Sequence, residues 1–369
     1  MKAPLCCMLA ALLCTCTMLG CQSGRDIPTG CLTTVVETQS KTTTVEPVWL
    51  DPDAGTVTPV CDEETHGADC PFYGLDDSVR SYLTQGDDGK LYFFTEVTAD
   101  TGDRTATLWE YSCKTGKKKE IGSRTDTTWR SKTILLDGYL IEHERDADGE
   151  EYAVTCMALS DRTREKYPLR YIPAAIQETK NGSVAYGALL EENGYMRGFY
   201  EMDWTFPPTD TERRLLFYDP KCRIGRIWFE DDAIYWRGRM RENTENASES
   251  LYRYDPSTDE TTEVCGQFSS IQMLGHGDFF YYFQKVDSPN GETRYDFTRL
   301  RKSTGESKVV DTLPEEWRYV NILSVYEDRW ILMRLKKADS ETEGFYCWNV
   351  ATEEARILSA ADSVAGETR

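Results

Sequence analysis

Short runs of aromatic and β-branched residues, divided by clusters of Asp, Pro, Gly and Ser, occupy the chain from Val48 to Leu358 and predict strands joined by tight turns. The clearest unit is Leu251 to Val264 (LYRYDPSTDETTEV). Leu251 to Tyr254 has strand character. Asp255-Pro256-Ser257-Thr258 is turn chemistry, with a carboxylate to cap the turn and a proline to pre-set φ, and Thr261 to Val264 resumes a β-prone run. The same order recurs at Val48–Cys61, Leu108–Ile121, Cys156–Leu169, Leu215–Trp228, Phe297–Val310 and Phe345–Leu358. Matching turn positions fall at Ala54, Thr115, Thr163, Cys222, Thr258, Thr304 and Thr352, a period of roughly 50 residues, as in propeller blades.

Upstream of most of these hairpins lies a second apolar pair, as in Gly89–Val97, Thr133–His143, Trp228–Arg237, Gly277–Val286 and Val325–Leu335. Two hairpins per period make a four-stranded sheet. Runs such as Phe279-Phe280-Tyr281-Tyr282-Phe283 do not alternate with polar residues, which is expected of strands covered on both faces. A radial stack of sheets provides such cover and leaves few free edges. The expected fold is therefore all-β, a β-propeller of seven four-stranded blades, with six or eight as alternatives and a β-sandwich as the competing architecture. Leu32 to Thr44 with Val48–Cys61 gives about three N-terminal strands, and no strand is evident after Leu358, so N-terminal strands are expected to close the ring.

The ends are read differently. Residues 1–20 form a leader with one basic residue, Lys2, and an uncharged apolar stretch. Met18-Leu19-Gly20-Cys21 resembles a bacterial lipobox, which makes Cys21 the expected lipidation site and residues 21–31 a short anchor and tether. The propeller is expected over 32–360, with a polar tail at 361–369. The expected location is outside the cytoplasm, held at the membrane through the lipid on Cys21.

Hydrophobic residues make up 40% of the 369 positions and aromatics 12%, ample for one body, while the net charge of −21 repels nucleic acid and anionic lipid and favours neutral or cationic ligands. A monomer is expected. Beyond the leader lie Cys31, Cys61, Cys70, Cys113, Cys156, Cys222, Cys265 and Cys347, an even set that permits disulfides in an exported protein. Cys61, His66 and Cys70 have metal-ligand types, but three such residues fall short of a zinc site, and an oxidising setting favours a Cys61–Cys70 disulfide. No metal or cofactor is expected.

The order D-P-x-x-G (Asp51 to Gly55), T-P-V-C (Thr58 to Cys61), an acidic stretch with His66, C-P-F-Y (Cys70 to Tyr73) and G-K-L-Y-F (Gly89 to Phe93) resembles uncharacterised propeller lipoproteins of Gram-positive anaerobic bacteria. In that group a further cysteine often precedes the histidine, where this chain has Thr65. The resemblance implies a lipid-anchored propeller and carries over no activity.

Other chemistry is sparse. Asp146–Glu150 and Asp100–Asp103 lack the full calcium loop and read as hairpin turns. His66, His143 and His276 stand in no catalytic motif, and Ser123–Trp129 lacks the central glycine of an Asp-box. The longest predicted loop, Glu191–Glu212, carries Tyr195, Arg197, Tyr200 and Trp204, flat rings beside a guanidinium that suit a sugar or a peptide. Trp129 and Trp317 are expected on the same face, where connections between second and third strands meet those between blades. These six residues are the expected ligand contacts of a binding protein for a glycan, a peptide or an envelope protein. A carbohydrate-active lyase or hydrolase, using carboxylates such as Glu201, Asp203 and Asp210, is the alternative. A structural or sensor subunit of an envelope complex is a third.

Overall fold

The computed structural model describes residues 30–39, 42–61, 70–72, 75, 83–86, 89–98, 104–124, 133–136, 139–145, 151–167, 175–179, 182–190, 196–204, 213–230, 233–240, 249–268, 270, 272–287, 293–340 and 342–359. The leader, Cys21, His66, Trp129, Tyr195, both acidic turns considered for calcium and the C-terminal tail lie outside them.

All regular structure in the described residues is β, arranged as successive antiparallel meanders. The first has three strands, β1 (Cys31–Gln39), β2 (Thr42–Asp51) and β3 (Thr56–Pro59). The second comprises β4 (Thr84–Gln85), β5 (Leu91–Thr98), β6 (Arg104–Ser112) and β7 (Lys117–Arg124). The third comprises β8 (Thr133–Leu136), β9 (Tyr139–Arg145), β10 (Glu151–Ala158) and β11 (Arg164–Tyr167). The fourth is β12 (Ala175–Thr179), β13 (Gly182–Leu190), β14 (Met196–Trp204) and β15 (Arg214–Tyr218). The fifth is β16 (Arg223–Phe229), β17 (Ile234–Arg239), β18 (Ser250–Asp255) and β19 (Glu260–Cys265). It joins the fourth into one eight-stranded sheet through the single pair Met196↔Ile224. The sixth is β20 (Leu274–His276), β21 (Phe279–Asp287), β22 (Thr293–Arg301) and β23 (Ser307–Thr312). The last is β24 (Trp317–Tyr326), β25 (Trp330–Lys337), β26 (Glu343–Asn349) and β27 (Glu354–Ser359).

Burial follows position in the meander. All of β26 and most of β25 are buried, whereas the final strands β19, β23 and β27 are largely open to solvent. The middle strands are therefore covered on both faces, as their unbroken apolar runs require. The closing turns are built by local chemistry. Asp51, Asp255 and Asn349 each accept backbone N–H groups two or three residues on, and an i to i−4 bond closes several turns, as from Asp259 N to Asp255 O at 2.9 Å. The residue donating that bond has positive φ. It is Gly116 or Gly305 in two hairpins and Arg162, Asp259 or Glu353 in three others. The equivalence of Arg162 with Gly116 corrects the expected turn position of the Cys156–Leu169 hairpin from Thr163 to Asp161.

Apolar clusters tie each meander to the next. Ile141, Val154 and Cys156 of the third pack with Ala185, Tyr200 and Trp204 of the fourth. Phe199 packs with Trp236 and Tyr254, Tyr235 with Phe280, and Phe297 with Tyr346 and Trp348. Trp49 of the first packs with Tyr92 and Phe93 of the second and Leu140 of the third. The series then returns to its start: Val48, Leu50 and Val57 of the first meander share a cluster with Trp330, Leu332, Phe345 and Cys347 of the last.

Four ion pairs between neighbouring meanders share one pattern. The hairpin turn between the last two strands of one meander reaches back to the preceding meander: Arg162 to Glu110, Lys302 to Glu230 and Glu353 to Arg299. Asp53, in the β2–β3 turn of the first meander, meets Arg329 of the last in the same way. Among the described residues no strand of the first meander pairs with the last, so that junction is made by side chains. Arg334, 3% exposed, donates to the hydroxyls of Thr33 and Thr34 at 3.0 and 3.1 Å and to Glu343 Oε2 at 3.1 Å. Trp330 Nε1 donates to Asp53 Oδ1, and Arg356 to the carbonyl of Pro52.

Candidate functional site

Of the expected long loop Glu191–Glu212, the described residues Met196–Trp204 are strand, and the rest lie outside the described residues. Met196 to Trp204 form β14, buried at six of nine positions, because MRGFYEMDW is covered by sheets on both sides. Arg197, Tyr200 and Trp204 accordingly stand in the core at 3, 3 and 4% exposure. Arg197 donates to the carbonyl of Cys222, Tyr200 lies 5.4 Å from the Arg213 guanidinium, and Trp204 meets Tyr139 edge-on at 6.3 Å. The rings of Tyr200 and Trp204 fill the packing between the third and fourth meanders. Trp129 and Tyr195 lie outside the described residues. Glu201 is engaged by Arg214 at 2.6 Å, Asp203 is exposed, and Asp210 is not among the described residues, so no convergent carboxylate pair is formed by those described.

Cys61 and Cys70 face each other, both buried, with sulfurs 3.8 Å apart. A disulfide bond is about 2.05 Å, so the expected Cys61–Cys70 disulfide is not formed and both are thiols, like the other six cysteines of the described chain. Phe72 N donates to Cys70 Sγ at 3.4 Å. Burial pushes the Cys113 thiol up to about 11 and those of Cys156 and Cys222 to about 12. Burial lowers the nearby Lys118 amine, opposed by Cys70. Among the described residues no group of three His, Cys, Asp or Glu is placed to hold a metal.

Trp317 lies near a different feature. It begins β24, is 8% exposed, and rests on Gly344, where a Cβ would lie 2.7 Å from the indole ring. Beside it is a cleft of about 440 Å³ lined by Arg318, Lys336, Lys337, Ala338, Asp339 and Ser340. The register places Trp317 opposite Lys337 and Arg318 opposite Lys336. Two connections frame the cleft. Ala338 N, after β25, donates to Glu316 O, before β24, at 2.8 Å, and Lys337 N donates to Thr342 O at 2.8 Å. The β25–β26 connection therefore meets the β23–β24 connection there, the meeting of loops expected at a ligand face. The Lys337 ammonium lies 5.6 Å from the centre of the Trp317 ring. Arg318 and Lys336 thus share one face of the hairpin while the Lys337 ammonium lies with Trp317 on the other, so two cations and one carboxylate, Asp339, make a local inversion of sign in a chain of charge −21. The adjacent pair Lys336-Lys337 was the available sequence signal; nothing in sequence placed Arg318 beside it.

No family model matches the chain, and no curated protein matches it. Solved structures do. The β-propeller domain of the Trilobed protease from Pyrococcus furiosus, described as having an open velcro topology, is similar at TM-score 0.51 and 11% identity over 89% of this chain and 98% of that one. A prolyl endopeptidase is similar at TM-score 0.54 and 15% identity over 89% of this chain, and an acylaminoacyl peptidase at 0.52 and 14% over 91%. The chain spans 50 and 51% of the lengths of those two peptidases. At such identities the likeness speaks of fold alone, and it agrees with the stacked meanders: this is an all-β, propeller-like chain.

Proposed function

We propose that this chain is a non-catalytic binding protein of the cell envelope, a seven-bladed propeller held at the membrane by a lipid on Cys21. The blades are the meanders, and the return of packing from the last to the first supports a ring closed by side chains of the N-terminal sheet. The partner, a glycan, a peptide or an envelope protein, is taken on the face where the β25–β26 and β23–β24 connections meet. The observation that carries this reading is the cationic cleft beside Trp317, built from two hydrogen-bonded connections at one end of a rigid sheet. The leader and the Met18–Cys21 motif support the address.

Glycan and peptide arrays probed with the full chain in detergent, beside the Lys336→Glu/Lys337→Glu variant, test the binding. The reading expects a ligand class that the variant loses. Ligands held equally by the variant remove the cleft from the account, and a blank array removes the binder. Partition into detergent by the wild type but not by Cys21→Ala tests the anchor; equal partition overturns it.

A further inference from the structure

We infer that the cleft beside Trp317 accepts an acidic sugar, a monocarboxylate carrying hydroxyl groups; this rests on the binding reading above. Arg318 and Lys336 stand directly opposite one another on β24 and β25, and like charges so placed repel. Lys337 also lines the cleft, but its ammonium lies by the Trp317 ring, on the face opposite Arg318 and Lys336. Arg318 has no ion-pair partner among the described residues, although Asp and Glu outnumber Lys and Arg by 63 to 42 in the chain. The exposed planar fork of Arg318 matches a carboxylate in particular.

The remaining lining chooses among anions. Asp339 brings a negative charge into the cleft, which disfavours a dianion such as a phosphate monoester and supplies an acceptor for ligand O–H groups. Ser340 Oγ accepts from Thr342 N at 3.3 Å, which leaves its own O–H to donate. A ligand that meets all four groups carries one carboxylate and several hydroxyls, the composition of a uronate unit. The volume of about 440 Å³ falls in the range of small-molecule sites.

The test titrates the full chain in detergent with polygalacturonate, polymannuronate, methyl-esterified polygalacturonate and polyglutamate. The ester keeps the sugar and removes the charge, while polyglutamate keeps the charge and removes the sugar. The expected result is binding of at least one uronate polymer, none of the ester, and weaker binding of polyglutamate. Arg318→Glu should weaken uronate binding about tenfold or more, as expected for loss of a charged hydrogen bond. Lys285→Glu, a substitution at an exposed position of β21 in the sixth meander, should leave it unchanged, with melting of both variants confirming the fold. Equal binding of acid and ester, polyglutamate bound as tightly as the uronates, no effect of Arg318→Glu, or no uronate binding each overturns the inference. If the arrays still yield a ligand that depends on Lys336 and Lys337, the binding reading stands without it; if they yield none, both fail.

Discussion

Arg334→Met isolates the junction between first and last meanders. The guanidinium and its partner Glu343 are both buried, with 3 and 5% of their side chains exposed, so removing the cation strands a carboxylate away from water. Breaking a buried pair from one side costs about 3–5 kcal/mol. The hydroxyls of Thr33 and Thr34 each lose a donor as well, at about 1 kcal/mol apiece. Replacing the pair by apolar groups removes the stranded charge, so Arg334→Met/Glu343→Leu should recover more than half of the loss. Urea unfolding of the full chain, followed by tryptophan fluorescence, measures both. Lys285→Ala serves as the exposed comparison, since its side chain is 55% open and its pairing with Asp287, 62% open, is worth about 1 kcal/mol or less. A loss below about 1 kcal/mol for Arg334→Met, or no recovery in the double variant, would refute the reasoning that the junction rests on a buried ion pair.

Three further outcomes are expected. A Cβ at Gly238 would lie 2.1 Å from the carbonyl oxygen of Arg223, beside a register shift between β16 and β17, so Gly238→Ala should cost about 1–3 kcal/mol in the same assay; Gly122→Ala, with nothing within 4 Å, should be near neutral. Because burial raises the Cys156 and Cys222 thiols to about 12, neither should be alkylated at neutral pH until the chain unfolds, whereas mild oxidation should join Cys61 to Cys70, read as a mass lower by two hydrogens and a linked peptide. Labelling of Cys156 and Cys222 in the native state, or oxidation that leaves Cys61 and Cys70 separate, would contradict this. Ser257 O–H and N–H, then Arg253, hold the Asp255 carboxyl at about 2 against an ordinary 3.8. A depressed folded value adds stability above the unfolded value and loses it as pH falls through the folded one. The difference in Tm between wild type and Asp255→Ala should therefore be constant from neutral pH to about 5 and close towards about pH 2; a difference unchanged at low pH would count against the turn chemistry.

Much of the fold was legible because turns are made by local chemistry. Asp51, Asp255 and Asn349 bind their own backbones, and Gly116 and Gly305 supply positive φ, so hairpins could be read one at a time. Where Arg162 takes the position usually filled by glycine, the sequence offered no such mark and the turn was read two residues late. The candidate site was less legible. In sequence, Arg197, Tyr200 and Trp204 look like a ligand platform, yet an aromatic run covered by sheets on both faces has the same composition, and only packing separates the two. The reverse holds for the cleft. Arg318 and Lys336 are far apart in sequence and come together through the β24–β25 register, which two irregularities shift. Trp317, read as an open platform in a blade-to-blade loop, begins β24 and is buried against Gly344.

The central claim is that the first meander sits against the last as every other meander sits against its predecessor. Zero-length carbodiimide cross-linking of the Arg329→Lys variant tests it directly, with the natural pair Lys302 and Glu230, 2.5 Å apart between neighbouring meanders, as the internal standard. The account predicts an intramolecular link between Asp53 and position 329 in monomeric protein, formed alongside the Lys302–Glu230 link. A Lys302–Glu230 link without any link from Asp53 to position 329 would contradict it.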